Sequence, residues 1–248
     1  MLIIDSHIHL GGSRVTPNVY TEAQLLGTHE KFGVDVSLVL PLPHALPGPE
    51  KVHDQVYKLT QDHPGKFFGV MEYSPGADED AYWKEAERCF TKQGFVAVKL
   101  HTYLQPVNPQ SKFADKVFEV AKHYKVPVIV HTGLGVPFSM PSLLMPRARQ
   151  YPELPIVLSH AGNNFYTAEA IIAAEFCENI FLEPSWCSIT RVKEMVKKIG
   201  SQRVMMASDG PANVPIELAV FRSIDLTERE LEDCLGGTAV KVFKLPVK

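Results

Sequence analysis

The stretch 113–131, Phe113-Ala-Asp-Lys-Val-Phe-Glu-Val-Ala-Lys-His123 and then Val126-Pro-Val-Ile-Val130-His131, decides the fold. In its first part Phe113, Val117, Val120 and Ala121 recur at helical spacing. Its second part is a short β-branched run ending on a histidine. The run is apolar at nearly every position, as in a strand covered on both faces. Helix, short connection, strand and terminal polar residue make one unit, and the unit recurs in both directions along the chain. The strand candidates are Leu2 to Ile8, Val34 to Leu40, Phe67 to Met71, Phe95 to Leu100, Val126 to Val130, Ile156 to Ser159, Ile180 to Leu182 and Arg203 to Ala207. Arg191 to Ile199 is another amphipathic stretch between them.

Eight strands alternating with helices predict an α/β fold with a parallel sheet, closed most economically as a (β/α)8 TIM barrel. The open doubly wound sheet is the alternative, but no Gly-x-Gly-x-x-Gly follows an early strand. No linker or low-complexity segment interrupts the 248 residues, so 1–248 reads as a single domain. Thr227 to Phe243 reads as an extra C-terminal helix covering the bottom of the barrel.

Composition narrows the function classes. The chain is 45% hydrophobic and 21% charged with net charge -3, so it carries no strong basic field for nucleic acid. Cys89, Cys177, Cys187 and Cys234 lack C-x-x-C spacing and read as reduced thiols. No apolar run approaches bilayer length, and no signal-peptide pattern opens the chain. The expectation is a cytoplasmic protein acting on a small molecule, without nucleic acid or membrane as partner. A homodimer is an open option, with the apolar residues of 138–146 as one place for the contact.

In such barrels chemistry sits at the C-terminal ends of the strands. The first strand ends in Asp5-Ser-His7-Ile-His9, and regular alternation places Asp5, His7 and His9 on one face. The fourth ends in Lys99-Leu-His101, the fifth in His131, the sixth in His160 and the eighth in Asp209. A lone histidine after a strand is usually a hydrogen-bonded structural residue. His7, His9, His131, His160 and Asp209 in one mouth are a different matter, because such crowding calls for a neutralising cation. Imidazole with carboxylate suits zinc, with iron, manganese or nickel as alternatives.

At these residues the chain resembles the amidohydrolase superfamily of metal-dependent (β/α)8 enzymes. The matching pieces are Asp5-Ser-His7-Ile-His9, Val98-Lys99-Leu100-His101, Val130-His131-Thr132-Gly133, Ser159-His160-Ala161-Gly162 and Ser208-Asp209-Gly210-Pro211. The branch it is most similar to is the amidohydrolase-2 type, which includes aminocarboxymuconate-semialdehyde decarboxylase. Leu235-Gly236-Gly237-Thr238-Ala239 resembles that branch's closing helix motif, with Thr238 where Asn is expected. The resemblance implies that His7, His9, His131 and Asp209 hold one metal and that His160 acts beside it. In binuclear members a lysine at the end of strand four is carboxylated and bridges two metals. Lys99 occupies that place, so one metal per chain is expected, or two with Lys99 carboxylated and His131 and His160 on the second.

The expected chemistry follows. A divalent cation brings the pKa of its water to about 7, and Asp209 takes and returns the proton. With His160 polarising a carbonyl, this suits hydrolysis of an amide, lactone or ester. The alternative is non-oxidative decarboxylation of a small aromatic or unsaturated acid. That reaction needs a cation for the substrate carboxylate, and Arg147 is the candidate beside Arg149. His101 is placed to polarise a carbonyl, Trp186 to wall the substrate pocket and Glu183 to support a ligand histidine. His29, His44, His53, His63 and His123 read as surface or capping residues. The segments Pro41 to Pro49 and Gly133 to Pro146 read as rim loops.

Overall fold

The computed structural model describes residues 1–134 and 137–247. The expected domain 1–248 and the rim segment 133–146 therefore include positions 135, 136 and 248, which lie outside the described residues. The strands are β1 (Ile4–Ser13), β2 (Val19–Tyr20), β3 (Val36–Pro41), β4 (Ala45–Leu46), β5 (Phe67–Glu72), β6 (Ala97–Leu100), β7 (Val128–His131), β8 (Ile156–Ser159) and β9 (Ile180–Glu183). The helices are α1 (Glu22–Phe32), α2 (Pro49–Asp62), α3 (Glu79–Glu87), α4 (Lys112–Tyr124), α5 (Met145–Gln150), α6 (Thr167–Phe176), α7 (Ile189–Ile199), α8 (Val214–Ser223), α9 (Glu228–Glu232) and α10 (Thr238–Phe243). Strands β1, β3 and β5 to β9 run parallel in that order, while β2 and β4 pair antiparallel with the far end of β1.

Seven of the eight expected strands form. The eighth, Arg203 to Ala207, makes only isolated parallel bridges, Leu182 with Val204 on one side and Ile8 with Asp209 on the other. Met205 N donates to Leu182 O and Ser6 N to Met206 O. The Met206 amide, however, turns away to Cys234 O in the C-terminal tail, which removes one rung from a regular ladder.

Two apolar layers flank the sheet. Ile4, Leu38, Val70, Ala97, Ile129, Val157 and Met205 pack inside, together with Ala239, Val242 and Phe243 of α10. Val39, Met71, Val98, Val130, Leu158 and Leu182 pack outside against the helices. The tail thus covers the inner layer, as expected. It comes close enough that a Cβ on Gly236 would lie 2.5 Å from Leu2 O, so only glycine fits there.

Along five strands, β5 to β9, the inward side chain two residues further is polar. Val70 is followed by Glu72, Ala97 by Lys99, Ile129 by His131, Val157 by Ser159 and Phe181 by Glu183. The sheet is therefore oily at its base and ionisable at its mouth. β1 reaches the same result differently. Its register with β3 shifts between Asp5 and Ile8. Ile4 consequently belongs to the inner layer and Ile8 to the outer one, although four residues of regular strand would keep them on one face. The bulge aims His7 and His9 inward and separates them from Asp5, correcting the simple alternation. Asp5 instead accepts the Ser208 amide at 2.9 Å and the Ser208 hydroxyl, tying β1 to the segment before Asp209.

Two smaller expectations also change. On α4 the buried face is Ala114, Val117, Phe118, Val120 and Ala121, while Phe113 is exposed. His29 and His53 are buried, because each faces the sheet from its helix and finds a partner there, the Ser37 hydroxyl on β3 and the Glu72 amide on β5 respectively. The four cysteines are free and buried. Among the described residues no helix is long and apolar enough to cross a membrane.

Candidate functional site

The inner polar ends converge on one cluster. His7 Nδ1 lies 3.0 Å from Glu183 Oε2, and His9 Nδ1 lies 2.9 Å from Pro41 O. A carbonyl oxygen only accepts, so the His9 proton is on Nδ1 and its Nε2 presents a lone pair. The Glu183 carboxylate places the His7 proton on Nδ1 in the same way. The two Nε2 atoms face each other at 3.2 Å, with Asp209 Oδ1 3.4 Å from His7 and 3.3 Å from His9. His7, His160 and Asp209 each offer one atom within 4.8 Å of the others. Neither of the buried ring nitrogens of half-buried His131 has a hydrogen-bond partner, and its ring lies 4.7 Å from that of His160.

Electrostatics reinforce the crowding. Burial pushes His7 and His131 well below the usual histidine range and His160 down to about 4, so all three rings are neutral at pH 7. Burial alone would raise Asp209, but His160, His7 and His9 hold it well below the usual carboxylate range. Several lone pairs and one anion thus meet in a dry pocket. The nearest cation is Lys99, whose Nζ lies 2.8 Å from Ser159 Oγ and 3.4 Å from His7 Nε2. Burial lowers this lysine to about 8. One ammonium does not match the remaining lone pairs at Asp209, His9 and the bare His131. The donor set therefore fits a divalent cation of the imidazole-and-carboxylate class.

Backbone strain marks the same place. His160 (φ 64°) and Asp209 (φ 65°) both occupy the left-handed region, which disfavours side-chain-bearing residues. Ser185 Oγ lies 2.8 Å from His160 Nδ1, and the Asp209 amide donates to His7 O at 2.8 Å. Above the cluster lies a cavity of about 180 Å³ with His9, His101, His131, His160 and Asp209 among its lining residues. Thr16, Asn18, Tyr20, Leu42, Pro43, Tyr103 and Leu104 line the rest. It is smaller than the usual drug-sized site and suits a small ligand. His101 stacks on His131 at 4.4 Å, and its Nδ1 accepts the Leu104 amide, so the neutral ring carries its proton on Nε2.

The two expected substrate residues, Arg147 and Trp186, are not among the lining residues of this cavity. The Arg147 guanidinium is buried against Pro109 O, Ser111 O, Gln150 and Asp115, and it does not line the cavity. On α5 it faces the neighbouring loop, where these oxygens already accept from its guanidinium. Trp186 is half-exposed at the rim, and its indole N–H donates to Asp209 Oδ2 at 2.9 Å. Glu183 does contact a candidate ligand histidine, as expected. Glu72, Ser159, Ser185, Ser208, Glu217 and Tyr20 were not anticipated. The apolar-then-polar step at spacing two would have revealed Glu72 and Ser159. Burial raises Glu72 to about 8, and its Oε1 is unpaired.

Among the described residues one other group has ligand chemistry, His53, Glu85 and Cys89. Its histidine is fully engaged, Nδ1 with Glu85 at 2.6 Å and Nε2 accepting the Glu72 amide at 3.1 Å. Neither imidazole nitrogen there has a free lone pair to offer a cation.

Comparison with known proteins agrees with this layout. The chain's fold is similar to that of 5-carboxyvanillate decarboxylase from Sphingomonas paucimobilis (TM-score 0.76, 15% identity, covering 98% of this chain and 99% of that one). It is also similar to 2,6-dihydroxybenzoate decarboxylase from Rhizobium (TM-score 0.77, 14% identity, 100% of both chains). A third similar structure is dihydroxybenzoic acid decarboxylase from Polaromonas sp. JS666 with bound manganese and 2-nitroresorcinol (TM-score 0.78, 15% identity, 100% of this chain and 98% of that one). No match was found among curated proteins. The amidohydrolase family profile, Amidohydro_2, matches residues 4–245. A match over nearly the whole chain means that the protein belongs to the amidohydrolase family.

Proposed function

We propose that this protein is a metal-dependent non-oxidative decarboxylase of a small aromatic or unsaturated acid, working in the cytoplasm. In this reading segment 203–207 closes the parallel sheet into a (β/α)8 barrel built from one domain. The observation that carries the metal part is the convergence of His7 Nε2, His9 Nε2 and Asp209 Oδ1 within 3.4 Å, beside an unpartnered His131. His7, His9, His131 and Asp209 hold one divalent cation, zinc or manganese, and Lys99 stays an ammonium on Ser159. The order of preference turns from hydrolysis to decarboxylation because the similar structures are named as decarboxylases and one contains manganese.

A cation bound there supplies Lewis-acid polarisation of a substrate oxygen. The protein's own residues do the rest. His101 donates from Nε2 to a substrate oxygen and orients the ring. The bond between the ring carbon and the carboxylate breaks, its electron pair stays on the carbon, and carbon dioxide leaves. That carbon takes a solvent proton relayed by His160, whose transient imidazolium is stabilised by the Asp209 carboxylate within 4.8 Å and which returns to the neutral ring as the C–H bond forms. Leu42, Pro43 and Tyr103 supply the apolar part of the wall beside the reacting carbon.

The test is to incubate zinc- or manganese-loaded protein in D2O with hydroxybenzoates, unsaturated acids, lactones and esters. The expected result is carbon dioxide release with one deuterium at the vacated carbon. Turnover of lactones or esters with no carbon dioxide from any acid would return the reading to hydrolysis.

A further inference from the structure

Trp186 is held from three sides. Its amide donates to Glu217 Oε1 at 2.7 Å, its carbonyl accepts from Asn164 Nδ2 at 3.0 Å, and its indole donates to Asp209 Oδ2 at 2.9 Å. The backbone there is left-handed (φ 67°), so these bonds maintain a conformation that a tryptophan otherwise avoids. Asn164 is tied in turn, its Oδ1 accepting the Ser188 amide at 2.8 Å.

Glu217 sits on α8 and reaches Asp209 by two routes. One runs through Trp186. The other runs through Asn213, whose amide donates both to Glu217 Oε1 and to Ser208 O at 2.9 Å. Ser208 is the residue before Asp209. One buried carboxylate therefore braces the backbone leading into Asp209 and the indole that meets its side chain.

The indole nitrogen is a donor only. Asp209 Oδ2 consequently accepts at every moment, and Oδ1 is the oxygen left facing His7 and His9. Carboxylate rotation about χ2 is otherwise broad and nearly two-fold. We propose that Trp186 is a positioning residue that fixes Asp209 with Oδ1 alone toward the cation, and that Glu217 and Asn164 hold Trp186 in place to do so. This rests on the metal reading above. It adds that the exposed indole belongs to the metal centre and reports its state. Asp209 Oδ2 is 2.9 Å from the indole nitrogen, so charge neutralised at Asp209 is felt directly by that chromophore.

The experiment uses Zn2+ alone, which is spectroscopically silent, with binding followed by competition against a chromophoric chelator. Trp83 lies on α3 with its indole on Glu79, so Trp83→Phe leaves Trp186 as the sole tryptophan. In Trp83→Phe the emission should shift with a midpoint equal to that of zinc uptake. Trp186→Phe keeps the ring, removes the N–H and should weaken zinc affinity by about 10- to 100-fold. Glu217→Leu should weaken it in the same direction, and Glu217→Gln, which retains an acceptor oxygen, should restore most of the loss. Thermal unfolding of the metal-free variants separates misfolding from lost positioning. Unchanged zinc affinity in folded Trp186→Phe, or an emission indifferent to zinc, would overturn the assignment. If the parent protein binds no zinc or manganese, the metal reading itself fails and this role falls with it.

Discussion

Two buried histidine clusters in this protein use the same residue types and differ in saturation. Outside the sheet, His53 donates to Glu85 and accepts the Glu72 amide, while Arg88 closes the network on Glu85 at 2.6 and 2.9 Å. Burial would raise Glu85, yet the hydrogen bonds from His53 and Arg88 hold it down at about 2. Inside the mouth, His7, His9 and Asp209 aim unprotonated atoms at one another, and His131 has no partner at all. A saturated cluster stabilises the fold, whereas an unsaturated one stores a cost that a ligand removes. Saturation, more than residue type, separates structural polar groups from functional ones here.

The sharpest way to break this contrast is to mutate one member of each cluster. Asp209→Asn should lower turnover by several orders of magnitude in metal-replete protein while leaving the unfolding transition nearly in place, as steady-state rates and calorimetry would show. His53→Ala should do the reverse. Its loss leaves the buried Glu72 amide unmatched and takes one of the donors from Glu85, so the free energy of unfolding should fall by about 3 kcal/mol while metal content stays at the parental level. An effect of His53→Ala on metal content would erase the distinction between the clusters.

Glu72 sits between the two and sharpens the comparison through pH. Its amide belongs to the saturated cluster, and its carboxyl faces the inner layer with Oε1 unpaired. Burial raises it from 4.5 to about 8, so the folded state binds the proton more tightly than the unfolded chain. The stability held by the protonated form is complete below about pH 4.5 and lost as pH rises through about 8. Glu72→Gln should therefore match the parent near pH 4.5 and exceed it by up to several kcal/mol at pH 9, measured by urea unfolding across that range. The smallest effect is expected at Arg147. Arg147→Met should cost about 1 to 3 kcal/mol of stability, because its guanidinium binds two carbonyls and two side chains. It should leave KM unchanged, and a raised KM would place Arg147 in substrate binding after all.

Much of this was legible in the chain itself. Of the eight strands that the apolar runs predicted, seven form in the parallel sheet, because strands buried on both faces need little else. The histidines and Asp209 were visible because each follows such a run directly. Other features depend on contacts between distant segments, which local periodicity does not encode. The bulge in β1 changes which face Ile4 and Ile8 present, and alternation alone misassigned Asp5. The eighth strand frays because a tail carbonyl takes the Met206 amide. Arg147 lies after the right strand, yet its helix turns the side chain toward Asp115. Glu217 and Trp186 lie 31 residues apart, and no spacing rule connects them.

The bulged strand has one more consequence, for synthesis. His7 and His9 lie near the start of the sequence, and Asp209 follows about 200 residues later. At ribosomal speed that interval is roughly 10 to 40 s. During it the emerging chain displays a pair of imidazoles without the carboxylate that completes their set. Any cation captured early would be held by an incomplete shell, open to exchange with whatever metal is abundant. The last candidate ligand arrives together with the segment that meets β1, so the full donor set forms only once that segment has emerged.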